Sequence, residues 1–311
     1  MAKKRLQNTI AESRYALPCT ALYALLVWAS ALYLKQQAGL LPVALMGVST
    51  YLMVELNNQN ALMRIYSRMV SCSFLVLGTA GIYLLHDYVA GMVQLCTIVC
   101  YLALFRAYQD KQASGAVFTA FLAIGVAAVF FIQILFFVPI LWLLFATRIM
   151  GLSIRTFSAS LLGILTPFWF AEGCYIAVGK PMIPILHIEN IARFASPCTL
   201  VPGDHTYEMA LFALLVLCTL TGTVHFLRTT YKDKIRTRML YETLITLSAC
   251  CLVFIIVQPQ HARYLLPMLM VSCAPLIAHY ITFTRTWLTN ILFMLLVLGA
   301  LLLTLFALWM L

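Results

Sequence analysis

The chain has 311 residues, 63% of them hydrophobic and 10% charged, with a mean hydropathy of +0.96. Soluble domains run at about 45–50% apolar and about 25% charged, and disordered chains combine low hydrophobicity with high charge; both classes are excluded. The net charge of +10 reads as cationic loops on one membrane face rather than a nucleic-acid surface, because no basic patch with interleaved aromatics stands outside the apolar runs.

A spanning helix needs about 20 apolar residues. The candidate spans in chain order are Ala16–Leu34, Gly39–Val54, Met69–Leu85, Tyr88–Phe105, a long stretch Ala116–Thr147, Phe157–Val178, Glu208–Phe226, Tyr241–Val257, Tyr264–Thr282 and Leu288–Met310. The first is too long for a signal-peptide core and leads straight into a second span, so it reads as a retained helix. No stretch is left for a soluble domain of about 50 residues. Residues 1–311 are expected to form a single integral-membrane domain, an all-α polytopic transmembrane helix bundle.

The stretch Ala116–Thr147 is too long for one upright helix and short for two. It contains Gln133 and Pro139, and basic residues flank it on both sides: Arg106 and Lys111 before, Arg148 and Arg155 after. Cytoplasmic loops carry the Lys/Arg excess, so both flanks are expected on one side, with the stretch crossing and returning as two short spans or a re-entrant hairpin. That gives about eleven spans. With the N-terminus inside, only Lys35, Lys180, Arg193 and Arg263 fall outside, leaving sixteen of the 20 basic residues inside. The expected orientation is N-in, C-out, in a bacterial-type cytoplasmic (inner) membrane.

The longest outer loop runs from Gly179 to His205. Ile185, Ile188, Ile191 and Phe194 recur at three-residue spacing, and Glu189 and Arg193 form an i,i+4 pair. This pattern predicts one short amphipathic helix on the outer surface. Cysteines are scattered without a CxxC spacing, mostly inside apolar runs where they act as small hydrophobes. Only Cys174 and Cys198 flank the outer loop, where an oxidising compartment permits a disulfide. On the inner face, the polar run Glu55 to Asn60 precedes Arg64 and Arg68. Asn58 or Asn60 is expected to cap the next helix, with the two arginines at i,i+4 on it.

No nucleotide loop, HExxH or metal-spaced Cys/His set is present, and no metal or cofactor is expected. No Asp, Glu, Lys or Arg falls near the centre of a span, which argues against an ion-coupled pump. Gln94, Gln133, His225 and His279 are the embedded polar residues, expected to hydrogen-bond between helices. The outer helix ends are richer. Glu172, Asp204 and Glu208 there, with Asp87 and His86 from an earlier outer loop, are the candidate acid/base groups, joined by His205. Convergent acids and histidines at a water–membrane boundary are what chemistry on a lipid headgroup requires.

The segment Gln258-Pro259-Gln260-His261-Ala262-Arg263-Tyr264-Leu265-Leu266-Pro267 is a short outer loop that enters an inward-going helix. Its Arg263-Tyr264-Leu265-Leu266-Pro267 core resembles a segment near the end of membrane glycosyltransferases of the GT-C class. The resemblance implies sugar transfer from a polyprenyl-phosphate carrier on the non-cytoplasmic face, with Arg263 holding the donor phosphate, which a guanidinium pairs bidentately. His261, Tyr264 and His205 are the accompanying substrate-binding candidates. Asp87, Glu172, Asp204 and Glu208 are the candidates for base. The first outer loop, Lys35 to Ala38, lacks the acid usual in that class. Two other readings stay open: a flippase or transporter for lipid or small solute, lined by Gln94, Gln133 and Tyr101, and a non-catalytic membrane subunit that docks a protein partner.

Overall fold

The computed structural model describes residues 5–34, 40–85, 87–179, 191 and 206–310, with helices and no strand among them. In chain order the helices are α1 (Leu6–Glu12), α2 (Ala16–Leu34), α3 (Leu40–Asn60), α4 (Met69–Ala80), α5 (Ile82–Leu85), α6 (Tyr88–Arg106), α7 (Ser114–Phe130), α8 (Val138–Thr147), α9 (Ile154–Ala177), α10 (Thr206–Thr229), α11 (Ile235–Val257), α12 (Ala262–Phe283) and α13 (Trp287–Met310). Among the described residues, eight of them, α2, α3, α6 and α9 to α13, are long and apolar enough to cross a membrane. Three further apolar helices are shorter: α4, α7, and α8 together with the 3-10 segment Ile132–Phe137 that precedes it.

Helix ends follow local chemistry. Asp87 caps α6, its Oδ1 accepting from the Val89 N–H at 3.0 Å. Ser153 and Thr156 close a reciprocal capping box at the start of α9, which satisfies two amides that have no intrahelical partner. Gly81 separates α4 from α5, so the expected single span Met69–Leu85 is two pieces. The long stretch Ala116–Thr147 breaks at Phe131, whose backbone is extended. Pro139 sits in the first turn of α8, where its missing N–H costs no hydrogen bond. The two arms of this hairpin return to one place: the Gln109 N–H donates to the Ile149 carbonyl at 2.8 Å, and Ser153 Oγ donates to the Lys111 carbonyl at 2.9 Å.

The same end of the bundle gathers the basic residues. Arg106 Nε donates to Gln59 Oε1 at 2.9 Å, Arg236 donates to Asn60 Oδ1 at 3.1 Å, and Arg148 pairs with Glu242. These contacts correct one expectation. Glu55 to Asn60 is the final stretch of α3, not a cap for the next helix, and Arg64 lies in the non-helical link before α4 rather than on a helix with Arg68. The run stays helical because its amides are consumed locally and across the bundle. Gln59 bonds Glu55 one turn back, and Asn60 Nδ2 donates to the Leu56 carbonyl at 3.0 Å.

At the centre stands α12, buried from Leu265 to Thr282, with α4, α6, α10 and α11 around it. Gly222 lets the backbone of α10 come against Leu276; a Cβ there would lie 2.7 Å from the Leu276 carbonyl carbon. Likewise α9 leans on α7 through Gly163, whose Cβ would lie 2.7 Å from the Phe118 carbonyl oxygen. Small residues give helices in lipid their close approach. The far face of α9 is apolar and bare, with Trp169 81% and Phe170 69% exposed, a surface suited to hydrocarbon rather than water.

Helix α1 has no counterpart among the expected elements. It folds onto the basic end: Gln7 Nε2 donates to Thr284 Oγ1 at 3.0 Å, and Asn8 Nδ2 donates to the Thr284 carbonyl at 2.9 Å. The expected outer-loop amphipathic helix and Cys198 lie outside the described residues, apart from Ile191.

Candidate functional site

The end opposite the basic collar is assembled from three connections. The α5–α6 link supplies Asp87, the α11–α12 link and the first turn of α12 supply His261 and Arg263, and the hairpin turn supplies Phe131. Asp87 is fixed by its capping bond to Val89, which leaves Oδ2 for Arg263 Nε at 3.4 Å. The Asp87 side chain is 18% exposed and that of Arg263 51%. The pair is made through Nε, and about half of the Arg263 side chain remains exposed.

Aromatic packing holds the Arg263 segment in place. The Phe131 ring lies 5.0 Å from the Tyr264 ring and 5.5 Å from the His261 ring. Gln260 Nε2 lies 3.0 Å from Gln258 Oε1 and 3.1 Å from His261 Nε2. The break that splits the long apolar stretch therefore has a consequence at this end: the extended residue that interrupts the helix is the one that buttresses Tyr264 and His261.

Glu208 sits in the first turn of α10, where a carboxylate is favoured by the helix dipole. It borders a cavity of about 250 Å³ with Pro259 and Ala262, the residues leading into Arg263. The structure thus brings Asp87, Glu208, His261, Arg263 and Tyr264 to one end. Glu172 lies on α9, which packs chiefly on α7, and among the described residues it makes no contact with Asp87 or Arg263. His86, Asp204 and His205 lie outside the described residues.

A second polar cluster sits at the basic end. Asp233, in the α10–α11 link, has a fully buried side chain; Arg64 Nε approaches its Oδ1 at 2.7 Å and His279 Nε2 its Oδ2 at 3.4 Å. The His225 ring stands 5.5 Å from the His279 ring. The Arg64 guanidinium lies 4.3 Å from the centroid of Phe283, a cation–π contact. His279 therefore meets a carboxylate from a link, not a hydrogen-bond partner on a neighbouring helix. In the sequence Asp233 reads as one acid inside a basic loop. The available signal was a lone acid between Lys232 and Lys234, with a histidine deep in an apolar helix.

No known protein family, curated protein or solved structure matches the chain. The eight long apolar helices among the described residues fit a multi-pass membrane protein.

Proposed function

We propose that the chain crosses the membrane eleven times, N-terminus in and C-terminus out, in a bacterial-type inner membrane. The three shorter apolar segments are counted as crossings alongside the eight long helices. The Asp87–Arg263 end then faces outward. There we propose GT-C-like handling of a glycan carried on a polyprenyl phosphate.

What supports this reading is the contact between Arg263 and Asp87: a half-exposed guanidinium held in place by a carboxylate whose own position is fixed by a helix cap. In the proposed reaction the acceptor hydroxyl oxygen attacks the anomeric carbon. The bond from that carbon to the carrier phosphate oxygen breaks, and the phosphate leaves with its charge met by Arg263. The acceptor proton passes to Asp87, with Glu208 as the second carboxylate at this end. Tyr264 and His261 flank the arginine and help to seat the carrier headgroup.

The test is native mass spectrometry of the purified protein, comparing wild type with Arg263→Ala and Arg263→Lys. Retention of a polyprenyl-phosphate species by wild type, its loss in Arg263→Ala and partial retention in Arg263→Lys is the expected result. Bulk phospholipid alone, identical in all three, overturns the reading.

A further inference from the structure

Near the basic end, α2, α4, α10, α12 and α13, with Ile10 of α1, enclose a partly open cavity of about 210 Å³. Its walls are apolar except for the hydroxyls of Thr20 and Ser73 and the thiols of Cys72 and Cys218. An apolar cavity of about 150 Å³ stays dry and accepts a small hydrocarbon, so this space suits a hydrocarbon chain and not water.

Two features mark its end nearest the basic collar as polar. Ser73 is 7% exposed, lines the cavity, and its Oγ has no hydrogen-bond partner. A buried hydroxyl without a partner is costly, and a serine within a helix ordinarily bonds the carbonyl one turn back. Arg68 stands immediately before α4. Residues four apart share a helix face, so Arg68 starts the row that continues through Cys72 and Val76, both of which line the cavity. Side chains on a helix lean toward its N-terminus, which carries the guanidinium outward past the cavity mouth. Among the described residues its partner is the neutral Tyr66 phenol, at 3.1 Å.

We infer that this cavity binds one anionic glycerophospholipid from the adjoining leaflet. Its phosphate sits at Arg68, beside the start of α4, where the helix dipole favours an anion. One ester carbonyl accepts the Ser73 hydroxyl, about 7.5 Å further along the helix at 1.5 Å per residue. The acyl chain then fills the apolar part between α4 and α13. A glycerophospholipid carries its ester carbonyls a few ångströms deeper than its phosphate, in the order in which Arg68 and Ser73 meet it. The site stands at the opposite end from Arg263 and does not depend on the function proposed above.

The experiment uses the full chain in nanodiscs of equal phosphatidylglycerol and phosphatidylcholine, followed by native mass spectrometry of the retained lipid. Wild type is expected to retain one phosphatidylglycerol in preference to phosphatidylcholine. Arg68→Gln should lower that retention about tenfold, the loss of one charge-assisted contact, and abolish the preference. Val297→Trp plugs the cavity from α13 and should lower retention of both lipids without altering Arg68. Added phosphatidylglycerol should raise the melting temperature of wild type and neither variant. Equal retention in wild type and Val297→Trp, or a preference that survives Arg68→Gln, overturns the site.

Discussion

Gln109 and Ile149 are joined by a 2.8 Å backbone hydrogen bond across the whole of the long apolar stretch. Gln109 and the neighbouring Met150 both hold positive φ, 59° and 56°, a conformation non-glycine residues adopt only where surrounding contacts impose it. The bond ties the two basic flanks together, so the stretch must turn back. In a background with Cys19, Cys174 and Cys198 replaced by serine, Gln112→Cys and Arg155→Cys should react with a membrane-impermeant maleimide from the same side. Under the proposed orientation that side is exposed in inverted vesicles, and Gly179→Cys should react from the other. Labelling of Gln112→Cys and Arg155→Cys from opposite sides would contradict the hairpin.

Asp87 has two tasks that substitution separates. Asp87→Asn keeps an oxygen to cap α6 and removes the charge opposite Arg263; Asp87→Ala removes both. Loss of a cap costs about 1 kcal/mol, whereas a part-exposed ion pair contributes about 0–1 kcal/mol. Thermal melts in detergent should therefore place Asp87→Asn within about 0.5 kcal/mol of wild type and Asp87→Ala about 1 kcal/mol below it. Equal losses would mean that the pairing, not the cap, fixes this carboxylate.

At the other end, Asp233 is a buried carboxylate between the Arg64 guanidinium and the His279 ring. Removing one side of a buried pair leaves the other uncompensated and costs about 3–5 kcal/mol. Arg64 keeps a 30% exposed side chain, so Asp233→Ala is expected at the lower end, about 3 kcal/mol. Pairing it with Arg64→Met should restore part of that loss. A melting curve of the single variant that overlays wild type would show that the cluster contributes nothing to stability.

The contact of α9 with α7 depends on the missing side chain at Gly163. Gly163→Ala forces a methyl against the backbone of Phe118 and Leu122 and should destabilise by about 1–3 kcal/mol, the usual cost of overpacking. Gly47→Ala is the control, since a Cβ there meets nothing within 4 Å. Similar melting temperatures for the two variants would show that α9 is held by something other than this close approach.

Hydropathy alone reveals the long helices, because in hydrocarbon every backbone group must be satisfied within its own segment. Charge placement reveals the hairpin, because Arg106 and Arg148 carry one sign on both flanks of a neutral stretch. Helix ends were less legible: Asn58 and Asn60 look like caps for the next helix, yet they close the one before it, where Asn60 finds its partners in distant Arg236 and nearby Leu56. The meeting of Asp87 with Arg263 was anticipated only as a convergence of residue types at one face. The Asp233–His279 pairing was not legible, since it joins a loop acid to a helix 46 positions away and neither residue sits in a patterned motif. Pairings of that kind arise from how helices pack, which a single sequence does not encode as spacing.

The clasp between α1 and the end of α12 bears on how the molecule is made. Gln7 leaves the ribosome 277 residues ahead of Thr284. At about 5–20 residues per second, its polar side chain waits roughly 15–55 s for its partner. During that interval Gln7 and Asn8 have only water or a chaperone to bond. Their burial against Thr284 is thus one of the last acts of assembly, and an unburied α1 would distinguish a chain still being inserted from one whose bundle has closed.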